Sequence, residues 1–279
     1  MSLNEIKILA LRALMQDEKL MYDLVLKGGN ALQLVYDITD RASMDFDFSI
    51  EGDFSKSEFE RINNSVEKLL KNEFLKKDLV VFDFKFFEKP KAGSIKFWKG
   101  YKMEFKVIKK ENWYDDDSEK SRREAIKIVE QSTKFIIEIS SFEYVAQAKK
   151  HELDGNVLFV YTPEMIIIEK LRALCQSIPE YSKIVPSANR KERARDFFDI
   201  WNVSKQFNID ITSIENQILI KEIFEAKKVP LNFLKLLSEY KDLHKGNWQS
   251  VENTIGPDIE SFEYYFDFVM SLINQIKIP

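Results

Sequence analysis

Two aspartates, Asp45 and Asp47, lie one residue apart in the segment MDFDFSI, residues 44–50. Alternating acidic and apolar residues predict a strand, in which side chains two positions apart point to the same face. Two carboxylates on one face repel each other unless a cation lies between them. Mg²⁺ prefers oxygen ligands and joins carboxylates to substrate phosphates, so the spacing predicts a metal–triphosphate site. The alternative is that both aspartates lie on the solvated face of an edge strand.

Two adjacent glycines, Gly28 and Gly29, precede this strand in KGGNALQLVY, residues 27–36, although the chain has only 8 glycines. Glycine has no β-carbon, so main-chain N–H groups can approach a ligand closely, and the start of a helix favours anions. The pair therefore predicts a seat for phosphate oxygens between a strand and a helix. A plain tight turn is the alternative, and the glycines alone do not decide between the two.

Hydrophobic periodicity predicts an α/β domain followed by a helical domain, with a boundary near Thr162 and Pro163. We expect a mixed-sheet domain over 1–162 and a helical domain over 163–279. The first part alternates helices with strands, and the second is almost wholly helical. Helices are predicted over 3–17, 28–36, 55–77, 117–131, 163–177, 189–207, 211–226, 231–244 and 261–277, and strands ending near Lys27 and over 44–50, 79–87, 94–108 and 134–140.

Composition excludes several classes of protein. A chain of 279 residues with 44% hydrophobic content can bury a substantial core. The single cysteine, Cys175, rules out an intrachain disulfide, and no apolar run approaches the roughly 20 residues that span a bilayer. The net charge of −4 argues against non-specific coating of nucleic acid. Because the first residues also lack a secretory pattern, we expect a cytoplasmic protein without membrane contact.

The segment from Lys27 to Phe48 resembles a family motif. KGGNAL at 27–32, followed by Arg41, Ser43, Asp45, Asp47 and Phe48, is similar to the K-G-G-T-A-L…R-x-S-x-D-x-D-F pattern of the AbiEii/AbiGii abortive-infection toxins. These toxins belong to the nucleotidyltransferase superfamily. Asn30 replaces the usual threonine. Asparagine is a good helix N-cap residue, so we expect the phosphate seat to survive the exchange.

Three later segments match the family in the same order. KFIIEISSFEY resembles the strand that supplies a third carboxylate, here Glu138. PEMIIIEKLRAL resembles the helix with the motif lysine, Lys170, and RARDFFDIW resembles the helix with the motif aspartate, Asp196, and Asp199 one turn later. The likeness spans roughly residues 22–205, and the last 70 or so residues show none. Four motifs in the right order make it specific.

The resemblance implies transfer of a nucleoside monophosphate from an NTP to an acceptor, with pyrophosphate leaving. It implies two Mg²⁺ ions held by Asp45, Asp47 and Glu138, and charge neutralisation by Lys170. Asp196 could orient Lys170 or a nucleotide group. The implied catalytic residues are Asp45, Asp47, Glu138, Lys170 and Asp196. The implied nucleotide-binding residues are Lys27, Gly28, Gly29, Asn30, Ser43 and Lys170.

The acceptor cannot be derived from these residues. The segment 183–195 carries a basic cluster that could hold an RNA backbone or could form a solvated loop: Lys183, Arg190, Lys191, Arg193 and Arg195. The resemblance implies a toxin that modifies tRNA 3′ ends or another translation component and is neutralised by an antitoxin. A protein hydroxyl is a second possible acceptor.

Simpler interpretations stand beside each assignment. Lys170 could be a solvated helix charge, Glu138 an exposed strand charge, and the i,i+4 pair of Arg195 and Asp199 a surface ion pair. The same carboxylates could activate water in a metal-dependent phosphohydrolase or nuclease. The chain could also be a catalytically silent nucleotide-binding module. The complete set of charged motif residues argues against silence, since a silent module has no need for adjacent like charges.

Overall fold

The computed structural model describes residues 2–38, 45–90, 95–115, 117–128, 132–188 and 190–278. The chain divides into two units, Met1–Val160 and Tyr161–Pro279. The first unit contains the strands and the second is helical among its described residues. The mixed α/β fold class predicted from the sequence is thus confirmed. No helix in the described ranges is long and apolar enough to cross a membrane.

The first unit is built on a seven-stranded mixed sheet, in the order β3-β4-β5-β2-β1-β7-β6. The pairs β2–β5 and β1–β7 are parallel, and the remaining neighbours are antiparallel. The strands are β1 Val25–Leu26, β2 Phe46–Ser49, β3 Leu79–Lys89, β4 Gly100–Lys109, β5 Phe135–Ser140, β6 Lys149–Leu153 and β7 Asn156–Val160. Strand β2, which begins directly after Asp45, therefore lies inside the sheet.

Five described helices accompany this sheet: α1 Leu3–Met15, α2 Glu18–Asp23, α3 Gly28–Leu34, α4 Lys56–Leu75 and α5 Ser118–Glu124. Helix α4 shows why such segments fold. Ser55 and Glu58 form a capping box at its start, which satisfies main-chain donors that a helix terminus leaves free. Ile62, Val66 and Leu70 then recur at helical spacing and are fully buried, so one face of α4 forms part of the core.

One prediction about the first unit is wrong, and one of its elements was missed. The helix expected over 117–131 ends at Glu124, because Ala125 leaves helical geometry and packs with Phe82 and Ile108, and the N–H of Ile126 bonds to Val107. The hairpin β6–β7 was not predicted. Its turn, Asp154-Gly155, has positive φ at both residues, which is the turn chemistry that joins two-residue hairpins.

The second unit contains α6 Pro163–Gln176, α7 Ala194–Gln206, α8 Ile214–Ala226, α9 Phe233–Leu236, α10 Lys241–Lys245, α11 Trp248–Ile255 and α12 Phe262–Ile273. Helix α6 begins as its sequence predicts, with Thr162 as N-cap and Pro163 at the first helical position. The single helix expected over 231–244 is wrong. A 3₁₀ segment, Leu237–Tyr240, separates α9 from α10. Helices α6 and α7 pack against each other, and they carry the motif residues of this unit.

Candidate functional site

The carboxylate pair lies where strand β2 begins. Asp45 directly precedes the strand and Asp47 is its second residue, and both side chains are partly buried. Phe46 and Phe48 are fully buried, so the opposite face of the strand packs into the core. This is the alternation predicted from the sequence, but β2 is an interior strand, which removes the edge-strand alternative. The predicted contribution of Ser43 lies outside the described residues.

Gly28 lies against Asp47. Its φ is +64°, a left-handed conformation that disfavours other residues, and a β-carbon built on it would lie 3.7 Å from Asp47 Oδ2. The main-chain N–H of Lys27 donates to the Asp47 carbonyl at 3.1 Å. Gly29 is the second residue of α3. The structure therefore places Gly28 next to Asp47, and Gly29 follows as part of helix α3.

Asn30 does not cap helix α3, so the capping argument is wrong, whereas survival of the phosphate seat stays a prediction. Lys27 occupies the N-cap position, and no side chain caps the helix. Asn30 is instead the third helical residue, and its buried side chain donates through Nδ2 to the Asp45 carbonyl at 2.5 Å. The amide thus ties α3 to the residue just before β2. Asn30 therefore positions the main chain of Asp45. This role differs from the direct phosphate contact that the motif implies.

Lys27 points into the protein interior. Its side chain is buried, and its Nζ donates to Ser140 Oγ at 3.2 Å and lies 3.7 Å from Glu143 Oε1. Glu143 is buried as well. The Lys27 side chain, which was predicted to bind nucleotide, therefore contacts Ser140 and Glu143 inside the protein.

Glu138 is the register partner of Asp47 on the neighbouring parallel strand β5. Its side chain is 35% exposed and accepts a hydrogen bond from Lys89 Nζ at 2.7 Å. Among the described residues, no group of three or more His, Cys, Asp or Glu side chains is placed to hold a metal ion. The structure thus aligns Glu138 with Asp47 but does not gather a three-carboxylate cage. A pair of carboxylates still fits Mg²⁺, which commonly binds one or two carboxylates together with substrate phosphates.

Lys170 is a buried cation in the second unit. Its Nζ lies 2.8 Å from both Asp196 Oδ1 and Asp199 Oδ2. Burial by itself lowers the pKa of Lys170, but the two carboxylate charges and their hydrogen bonds outweigh it and raise the pKa above its usual value. For Asp196, burial raises the pKa, while Lys170 and Arg193 lower it to a net value of about 2. Lys170 is therefore a buried, fixed ammonium ion, and the alternative that it is a solvated helix charge is excluded.

Two arginines extend this network. Arg193 NH1 donates to Asp196 Oδ2 at 2.8 Å, and Arg195 Nε donates to Asp199 Oδ1 at 3.1 Å. The i,i+4 pair of Arg195 and Asp199 is thus part of a buried cluster rather than a surface pair. Two of the five cations in the predicted basic segment point inward. The other three, Lys183, Arg190 and Lys191, are exposed.

The family model for the nucleotidyl transferase AbiEii toxin of type IV toxin–antitoxin systems matches residues 9–270. The chain belongs to the AbiEii family. The resemblance noted from the motifs is confirmed, and the match extends beyond the motifs to nearly the whole chain. No curated protein matches the sequence.

Two solved structures share the fold of this AbiEii chain. JHP933 from Helicobacter pylori is 16% identical, with a TM-score of 0.53 over 97% of this chain and 88% of that one. A candidate nucleotidyltransferase from H. pylori is also 16% identical, with a TM-score of 0.52 over 98% of this chain and 92% of that one. At this identity the likeness establishes the fold alone.

One residue near the AbiEii carboxylates was missed from the sequence. Lys7 of α1 is fully buried, and Asp47 and Asp45 both act electrostatically on its ammonium group. A sequence indication existed, since Lys7 precedes Ala10 and Leu14 at helical spacing and so interrupts the apolar stripe of α1. A lysine in such a stripe usually extends its amine to solvent, and this one does not.

Proposed function

We propose that this AbiEii chain transfers a nucleoside monophosphate from an NTP to an acceptor hydroxyl in a Mg²⁺-dependent reaction. The observation that carries the proposal is the position of Gly28 next to the Asp47 carboxylate, two residues after Asp45 in the chain. Asp45 and Asp47 would hold Mg²⁺, which neutralises charge on the triphosphate when bound. The resemblance implies two such ions, and the number bound per nucleotide is part of the proposal.

The acceptor oxygen attacks the α-phosphorus, the bond from that phosphorus to the bridging oxygen of the β-phosphate breaks, and pyrophosphate leaves. The acceptor's proton passes to a base or to solvent. Glu138 is the register partner of Asp47 and is assigned either as a further metal ligand or as that base. Lys89 donates to Oε1 of this carboxylate, so Oε2 is the oxygen that we assign to either role.

Lys170 supplies positive charge to the reaction in this proposal. Its two carboxylate partners keep it protonated and fix its position, so Asp196 and Asp199 are positioning residues for the ammonium group. Gly28 and Gly29 present main-chain N–H groups to phosphate oxygens, and Asn30 fixes the main chain that precedes β2. Lys27 is assigned to nucleotide binding only through the family motif.

The proposed acceptor is an RNA, such as a tRNA 3′ end, with a protein hydroxyl as the second possibility. A toxin of this family implies a cognate antitoxin, and we place the reaction in the cytoplasm. Three exposed cations, Lys183, Arg190 and Lys191, are available for phosphate contacts.

The test is incubation of the purified chain with Mg²⁺, each α-³²P-labelled NTP in turn, and either total RNA or a protein extract. Asp45→Asn/Asp47→Asn is the inactive variant, and Asp258→Asn/Asp267→Asn, at two exposed positions of the second unit, is the matched control. Label on RNA or protein with wild type and the control variant only would support the proposal and identify the acceptor class. NTP hydrolysis without label transfer would support a phosphohydrolase, and NTP binding without turnover would support a silent module.

A further inference from the structure

Lys7 is a buried charge without a contact partner of opposite sign. Its side chain is fully buried, and its Nζ donates one long hydrogen bond, 3.5 Å, to Gln33 Oε1 of α3. An ammonium group has three donors, and among the described residues Lys7 forms no ion pair. Charged lysines are rarely buried unless they are paired. This arrangement therefore needs a reason beyond packing.

Two other buried lysines, one in each unit, show the contrast. Lys27 lies 3.7 Å from Glu143 Oε1, and Lys170 lies 2.8 Å from each of two carboxylates. Those carboxylates compensate the charge of each buried ammonium group. The hydrogen-bond partner of Lys7, Gln33, lies one turn after Asn30 on α3, and Asn30 donates to the Asp45 carbonyl, so α3 links Lys7 to the residue before β2. The negative charges of Asp47 and Asp45 also act on the Lys7 ammonium group. Burial lowers the pKa of Lys7 to about 8, although both aspartates raise it, so the ammonium form still prevails at pH 7.

Full burial also means that a nucleotide cannot touch Lys7. Its charge can act on the reaction only through its electric field, and the charged groups that interact with it are the two proposed metal carboxylates. A fixed positive charge near a cation site opposes binding of a bare cation. It opposes a metal–nucleotide complex much less, because the triphosphate brings compensating negative charge.

We propose that Lys7 is a positioning residue that acts through Asp45 and Asp47 as an interior counter-charge, weakening their binding of free divalent metal so that metal enters with the nucleotide. This inference rests on the proposed metal site. It assigns a function to a helix α1 residue outside the motifs.

The test measures Mn²⁺ affinity without nucleotide, at pH 7, by electron paramagnetic resonance. Lys7→Met and Lys7→Gln remove the charge and should bind Mn²⁺ more tightly than wild type, on the order of tenfold for one unit charge at several ångströms. Lys7→Arg keeps the charge, and Gln33→Met removes only the hydrogen bond, so both should stay within about twofold of wild type. Lys56→Met, at an exposed lysine of α4, controls for loss of a charge elsewhere.

Thermal melting of each variant shows whether it is folded, and either neutral variant suffices if the other fails to fold. A purely structural role for Lys7 would lower the melting temperature and leave Mn²⁺ affinity unchanged. Unchanged or weaker Mn²⁺ binding in folded neutral variants overturns the inference. If Asp45→Asn/Asp47→Asn binds Mn²⁺ as wild type does, the metal site of the proposed function is itself rejected, and the two failures are thereby distinguished.

Discussion

The backbone of Gly28 faces the carboxylate of Asp47 so closely that a β-carbon on the glycine would lie 3.7 Å from Asp47 Oδ2. This distance is ordinary van der Waals contact, so an added methyl group fits without a clash. In the proposed reaction it would also occupy space that we assign to an incoming phosphate oxygen. The positive φ of Gly28 adds conformational strain for any other residue.

Gly28→Ala is therefore expected to lose roughly 1 to 2 kcal/mol of stability and to lower nucleotidyl transfer by at least about tenfold. Gly155→Ala is the matched control. Gly155 has a φ of +76° in the β6–β7 turn and open space around it, so it carries the same strain away from the carboxylates. Urea denaturation and label transfer are measured for both. Equal activity in the two variants would show that Gly28 serves only the turn.

Asn30→Asp tests the contact between α3 and the residue before β2. The exchange keeps the shape of the side chain but replaces the donor that binds the Asp45 carbonyl with an acceptor. Because Asn30 is fully buried, the loss should be about 2 to 3 kcal/mol of unfolding free energy, and Asn30→Ala should lose less. Transfer activity should fall in both. An Asp variant as stable as wild type would contradict the assigned hydrogen bond.

Lys170→Met should destabilise the second unit by about 3 to 5 kcal/mol, because it leaves Asp196 and Asp199 buried without their shared cation. Loss of activity in this variant alone would therefore not separate folding from chemistry. The triple variant Lys170→Met/Asp196→Asn/Asp199→Asn removes the like charges too and should recover much of the stability. Its transfer activity should remain absent at a temperature where it is folded. Recovery of activity would remove Lys170 from the reaction.

Local sequence patterns predicted much of the candidate site. The alternation around Asp47 needs only strand geometry, and the glycine pair needs only a turn before a helix. The register that aligns Glu138 with Asp47 on parallel strands is a long-range pairing that cannot be derived from either strand alone. Four motifs in family order then gave the resemblance that no single pattern supports.

Contacts between residues far apart in the chain could not be predicted from local sequence patterns. The burial of Lys7 depends on how α1 packs in the first unit, and the hydrogen bond from Asn30 depends on the neighbouring main chain at Asp45. Strand β7 is a different case. Its parallel pairing with β1 is long-range, but the Asp154-Gly155 turn before it is a local hairpin pattern that could have been used.

His244 of α10 should make the second unit sensitive to acid. Its ring is fully buried against Phe197, and neither ring nitrogen has a hydrogen-bond partner among the described residues. Burial, helped by Arg193 and opposed by Asp196, lowers its pKa from 6.5 to about 4. The unfolded chain therefore binds a proton at a higher pH than the folded chain does. The contribution of neutral His244 to the free energy of unfolding is fully present above pH 6.5 and is lost as the pH falls toward 4.

His244→Phe should remove this loss, because the phenyl ring keeps the packing and cannot be protonated. Between pH 7.5 and pH 5, wild type should lose about 2 kcal/mol more of its free energy of unfolding than the variant does. Urea denaturation at both pH values measures this. His151→Phe, at the chain's second histidine, controls for loss of an imidazole as such. Parallel stability curves for wild type and His244→Phe would mean that the buried ring titrates at its unfolded value.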